Sequence, residues 1–172
     1  QDVHRVPVMQ QQPLAGAEIN AVEIGTGGLR EGSLFFVPKA LLFWEALLAQ
    51  GHHVAAVGGS DDHRGGLGTG AMDSPIGDPT TLVLADELSA AAIVEGIRRG
   101  RTVVKLQGPE DPMIELSDEG SVAVPGDTLK VRSAVLTARV TSGRGGSVRF
   151  VKNGEPQDEV LIDADPFVLQ KP

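Results

Sequence analysis

The chain has 172 residues, 15 Lys and Arg against 23 Asp and Glu for a formal net charge of −8, and no cysteine. That balance argues against a nucleic-acid-binding surface, which needs clustered cations to neutralise phosphates, and the missing thiols exclude disulfides and thiolate zinc sites. No run approaches the roughly eighteen apolar residues that span a bilayer, and the length suffices for one good-sized domain or two small ones with a real core.

Residues 1–20 contain Met9-Gln10-Gln11-Gln12-Pro13 and little periodicity, as expected of a loop-like lead-in. Val22 to Ile24 predict a short buried strand, followed by a loop Gly25-Thr26-Gly27-Gly28. Pro38 suits the first position of a helix, Gly51 suits its C-terminal cap, and the wide apolar arc of Leu41, Leu42, Trp44, Leu47 and Leu48 suits packing against a sheet. A strand from His53 to Val57 follows, then a glycine-rich stretch from Gly58 to Gly77 with no regular pattern, the kind of long loop that more often serves function than not.

Thr81 to Ala85 predict another strand. Ser89 is a good helix N-cap, Ala90, Ile93, Val94 and Ile97 follow at helical spacing, and Gly100 ends the run before the strand-like Thr102-Val103-Val104. This alternation of strands and helices predicts parallel pairing in an α/β architecture.

Composition changes at Gly108-Pro109-Glu110-Asp111-Pro112. Beyond it, apolar residues recur in a period-two pattern at Ile114 and Leu116, then Leu129, Val131, Val135 and Leu136, Val140, Val148, Phe150 and Val151. Turn signals at Ser142-Gly143-Arg144-Gly145-Gly146 and Asn153-Gly154 separate them, which suggests a small β-sandwich. Lys130, Arg132, Arg139, Arg144, Arg149 and Lys152 are spread through this part as solvated faces rather than as a patch. The domain division expected is therefore 1–108 and 109–172.

The stretch from Gly58 to Gly66, Gly-Gly-Ser-Asp-Asp-His-Arg-Gly-Gly, carries the chemistry. On an extended segment side chains alternate, so Asp61 and His63 point the same way while Asp62 points elsewhere. A carboxylate and an imidazole converging beside glycines can hold a divalent transition ion. The same residues also make an ordinary polar turn.

Taken in order, Ala21-Val22-Glu23-Ile24, the helix ending at Gly51, the motif strand, Ile76-Gly77-Asp78-Pro79-Thr80-Thr81-Leu82-Val83, the helix opened by Ser89 and the segment Arg98 to Val104 resemble the C-terminal half of the PHP (polymerase and histidinol phosphatase) superfamily. The resemblance is to its carbaryl-hydrolase-like CehA/McbA metallohydrolases, over about residues 20–110, with Ser60-Asp61-Asp62-His63 against the family's Ser-Asp-x-His. It implies the C-terminal part of a distorted β/α barrel with two or three metal ions at the strands' C-terminal ends, followed by a β-sandwich-like module. Asp61 and His63 would then be metal ligands, and zinc, manganese or iron suits mixed carboxylate and imidazole donors. The family's early His-x-His pair is not present: the histidines are His4, His52, His53 and His63. Gln1 in place of Met and the apolar run at the end predict a fragment, a processed chain or the ordered remainder of something longer, with an N-terminal half in cis or on another chain.

Of the remaining polar residues, Glu23 is a site-facing candidate, and Arg64 suits either a bound anion or an ion pair with Asp62. Asp62 itself is expected to be exposed, the alternative being a group that supports the ligands without touching the metal. At roughly 3.3 Å per residue, His53 falls about 17 Å from the metal end, so His52 and His53 are read as structural or solvent-facing; His4 is a minority candidate. The run Gly65 to Gly70 lacks the Gly-Lys-Ser/Thr ending of a nucleotide loop, Asp73 and Asp78 read as turn formers, and Lys105 suits either an oxyanion contact or an edge strand.

The expected function is that of a metal-dependent hydrolase acting on a small phosphoester, ester or carbamate through metal-activated water. The alternative is a non-catalytic protein- or carbohydrate-binding module built on a degenerate barrel. Compartment stays open, with the likeness and the β-module favouring a secreted or periplasmic setting.

Overall fold

A computed structural model describes residues 19–27, 31–63, 65, 75–120 and 123–172. The fold is mixed α/β with several small sheets, and the described residues form no closed barrel. No helix among them is long and apolar enough to cross a membrane.

The first unit runs β1 (Ala21–Thr26), α1 (Glu31–Ala49), β2 (Ala55–Gly59), with β1 and β2 parallel as expected. Register runs from Ala21 opposite Ala55 to Thr26 opposite Gly59 and shifts between Glu23 and Gly25, so β1 carries one extra residue and bends there. Helix α1 packs on β1. It buries Ala40 and Leu47, seven residues apart on one face, while Leu42 on the other is 66% exposed. Trp44 Nε1 donates to the carbonyl of Val54 at 2.9 Å, which pins the helix to the start of β2.

Gly51 ends α1 as read from the sequence. Its φ of +86° lets Gly51 N reach Leu48 O at 2.9 Å and His52 N reach Leu47 O at 3.1 Å, the paired bonds of a Schellman motif. Pro38 does not start the helix; it lies inside it. A proline that suits a first turn is tolerated further in when packing repays the backbone bond its ring removes, and α1 is held at both its packed face and Trp44.

The second unit corrects the expected parallel order. Strands β3 (Thr80–Val83) and β4 (Thr102–Lys105) are antiparallel, and the ladder continues through Leu84 N to Arg101 O at 2.9 Å. Helix α2 (Ala90–Arg98) is an excursion at the closed end of a hairpin, because the chain re-enters the sheet opposite the point where it left. Ser89 caps it by accepting from Ala92 N at 3.1 Å, and Gly100, at φ +70°, terminates it with a second Schellman pair to Ile97 and Gly96. Gly96 is buried so close to β3 that a Cβ there would lie 2.7 Å from Val83 Cγ1.

The hairpin meets β2 at Gly58. The Thr81 hydroxyl accepts from Gly58 N at 2.7 Å and donates to Gly58 O at 2.7 Å. A side chain at Gly58 would stand 2.8 Å from Val104 Cγ1 and 3.1 Å from Pro79 Cβ.

Beyond residue 108 the structure is all-β and antiparallel. Strands β5 (Met113–Asp118), β6 (Leu136–Thr141) and β11 (Phe167–Lys171) form one sheet in the order β11-β6-β5. Ribbons β7 (Ser147–Val148) with β10 (Val160–Leu161), and β8 (Val151–Lys152) with β9 (Glu155–Pro156), lie between β6 and β11 in the chain. Ala138, Val140 and Ile162 are its buried core. Asn153 (φ +55°) and Gly154 (φ +79°) take the left-handed conformations of a tight hairpin, as their sequence predicts. Leu129 and Val131 alternate but form no strand; Val131 is 58% exposed, and alternation without a neighbouring edge does not make a strand. The basic residues from Lys130 to Lys152 are exposed, with Arg139 and Glu115 opposite each other across the β5–β6 ladder and 3.7 Å apart.

Residues 123–127 cross the C-terminal end of α2. Gly126, at φ +88°, lies where a Cβ would fall 1.8 Å from Arg99 O, and its carbonyl accepts from His53 Nε2 at 2.8 Å. Because a carbonyl only accepts, that bond places the ring proton on Nε2. Arg101 stands between Asp86 and Asp127, 3.7 Å from each.

Two outcomes follow for stability. Thr81→Val removes the hydroxyl without changing shape and leaves both polar groups of Gly58 without it, so the denaturation midpoint should fall by the equivalent of about 1–3 kcal/mol while Thr81→Ser retains most of the stability. Gly126→Ala forces a left-handed alanine into backbone and should cost about 2–4 kcal/mol, measured by chemical denaturation, whereas Gly154→Ala, with open space around it, should cost clearly less.

Candidate metal-binding turn

The motif residues do come together, but not by the route expected. Strand β2 ends at Gly59, and Asp61 has φ +51°, a left-handed conformation in which aspartate is one of the few tolerated non-glycine residues. Strand alternation is therefore broken before the acid is reached, and a turn folds the two side chains towards each other. Asp61 Oδ1 and His63 Nε2 are 3.1 Å apart.

Both side chains are largely in solvent, 67% and 83% exposed. A pair so placed contributes at most about 1 kcal/mol to folding. As ligands about 2.0–2.2 Å from one cation, two donors would sit about 2.8–3.6 Å apart for angles between a right angle and the tetrahedral value. The observed spacing fits that chord as well as it fits a hydrogen bond.

Glu23 is exposed on β1, opposite Val57, and its Oε1 lies 3.8 Å from the Cβ position of Gly59, two residues before Asp61. That contact puts the carboxylate beside the end of β2 from which the turn emerges. Its carboxylate is at the same end as the pair without joining it: the described residues include no group of three His, Cys, Asp or Glu spaced to hold an ion.

Asp62 is half-buried and engaged rather than exposed. His53 is structural, through Gly126, and His52 is exposed. Lys105 closes its own loop by donating to Pro109 O at 2.8 Å. His4, Arg64, Asp73 and the run Gly66 to Gly70 lie outside the described residues.

Asp78 forms a turn, its N–H donating to Pro75 O at 3.1 Å, and it also has a feature sequence alone does not reveal: Oδ1 is buried without a hydrogen-bond partner. Its neighbour Pro79 packs against Gly25 and Gly58, at the same end of the β1–β2 ladder as the turn. An acid immediately before a proline that leads into a strand was the only available signal. Comparison of the chain with protein-family models, with curated proteins and with solved structures returns no match.

Proposed function

We propose that this chain is part of a metal-dependent hydrolase of the PHP type, acting on a phosphoester or a related ester or carbamate. The observation that carries the proposal is the 3.1 Å approach of Asp61 and His63 on a turn whose position is held from behind by Gly58 and Thr81. The parallel β1-α1-β2 unit, with that turn at its C-terminal end, supports reading residues 1–108 as a barrel portion; the antiparallel β3–β4 pair is a departure from a regular barrel. The antiparallel region after residue 108 supports the sandwich-like module.

In this reading Asp61 supplies a hard oxygen and His63 a neutral ring nitrogen to zinc, manganese or iron, with further donors from outside the described residues or from a second polypeptide. When bound, such an ion lowers the pKa of coordinated water and polarises the substrate oxygen. Glu23 accepts a hydrogen bond from water near the turn, and Arg64 offers a guanidinium to an anionic substrate.

A second reading, a binding module without catalysis, rests on the four histidines containing no His-x-His pair. One experiment separates them. The metal-loaded chain and its Asp61→Ala and His63→Ala variants are assayed for zinc and manganese by elemental analysis and for hydrolysis of p-nitrophenyl phosphate and p-nitrophenyl acetate. Each substitution should lower metal affinity at least tenfold and remove metal-dependent turnover; unchanged metal content and turnover in both variants refutes the ligand assignment, and metal uptake without turnover favours the binding module.

A further inference from the structure

The three-stranded sheet β11-β6-β5 has two unlike faces. One carries Ala138 and Val140 into the core. The other carries Met113, Glu115 and Ser117 from β5, Thr137 and Arg139 from β6, and Val168 from β11, in lateral register. Antiparallel sheets often leave one face to water, but here the β3–β4 hairpin stands over it and leaves a cleft of about 540 Å³. Leu82, Leu84, Val103 and Val124 form much of the wall opposite the sheet. Leu84 and Val168 are 51% and 50% exposed, so apolar surface is left open inside a concavity rather than scattered over the molecule.

The charges in this cleft run against those of the chain. Against an overall −8, its charged lining is two arginines and one glutamate. Arg101 is offset by Asp86 and Asp127. Arg139 is held less: among the described residues it has one ion-pair partner, Glu115, 3.7 Å from Nε, where Arg101 has two carboxylates at that distance, and its side chain is 52% exposed against 18% for Arg101. A half-exposed guanidinium with donors to spare, set on the floor of an apolar cleft of ligand size, is complementary to a molecule with an apolar body and one carboxylate.

We propose that this cleft binds a medium-chain fatty carboxylate, its chain against Leu82, Val103, Met113 and Val168 and its carboxylate on Arg139. The site is independent of the Asp61–His63 turn and draws on none of its residues.

The test compares decanoate with decanol, which keeps the chain and removes the charge, by calorimetric titration of the whole chain. Decanoate should bind saturably, at least tenfold tighter than decanol. Arg139→Gln, on an exposed strand position that tolerates it, should reduce decanoate to the affinity of decanol and leave decanol unchanged. Ser117→Trp, which fills the cleft from its floor, should weaken both at least fivefold, with circular dichroism confirming that the sheet remains. No saturable decanoate binding, equal affinities for the two ligands in the unaltered chain, or an Arg139→Gln variant that binds decanoate normally would each overturn the proposal.

Discussion

The exchange of two hydrogen bonds between the Thr81 hydroxyl and the backbone of Gly58 is the constraint on which the rest of this structure turns. It requires a residue without a side chain, since Val104 and Pro79 occupy the space a Cβ would need. It also covers the polar edge of β2 that β1 does not pair, and a strand edge left bare would invite other pairings. Two units of different sheet type, one parallel and one antiparallel, are thereby joined a single residue before β2 ends and three before Asp61. The turn carrying Asp61 and His63 thus springs from a fixed point although both side chains lie in solvent.

Local signals were legible where they depend on a residue's own backbone. Ser89, Gly51, Gly100 and the Asn153-Gly154 pair each do what their chemistry predicts, because a cap or a left-handed turn is decided within four residues. Pairing was less legible. The rhythm of strand, helix and strand is shared by β1-α1-β2 and β3-α2-β4, yet the first is parallel and the second antiparallel. The difference lies in the connection: the 19-residue α1 carries the chain back along the whole strand, while the nine-residue α2 returns it to the place it left.

The candidate site shows the same division. Sequence spacing identified the two residues that meet but assigned their meeting to strand alternation, and the left-handed step at Asp61 is what brings it about. Nothing local reveals that a carboxylate oxygen of Asp78 is buried without a partner, or that Gly126 matters through a carbonyl bonded to a residue 73 positions away. Burial and long-range contact are properties of the assembled chain and leave no trace in a short window of sequence.

Trp44 gives this arrangement an optical handle. The chain has one tryptophan and no tyrosine, so its indole emission has a single origin. That indole is partly buried and bound through its ring nitrogen to Val54 O, at the contact between α1 and the start of β2. Red-shifted fluorescence therefore reports separation of that helix from its sheet, while loss of order confined to the antiparallel strands beyond residue 108 leaves the spectrum dark to it.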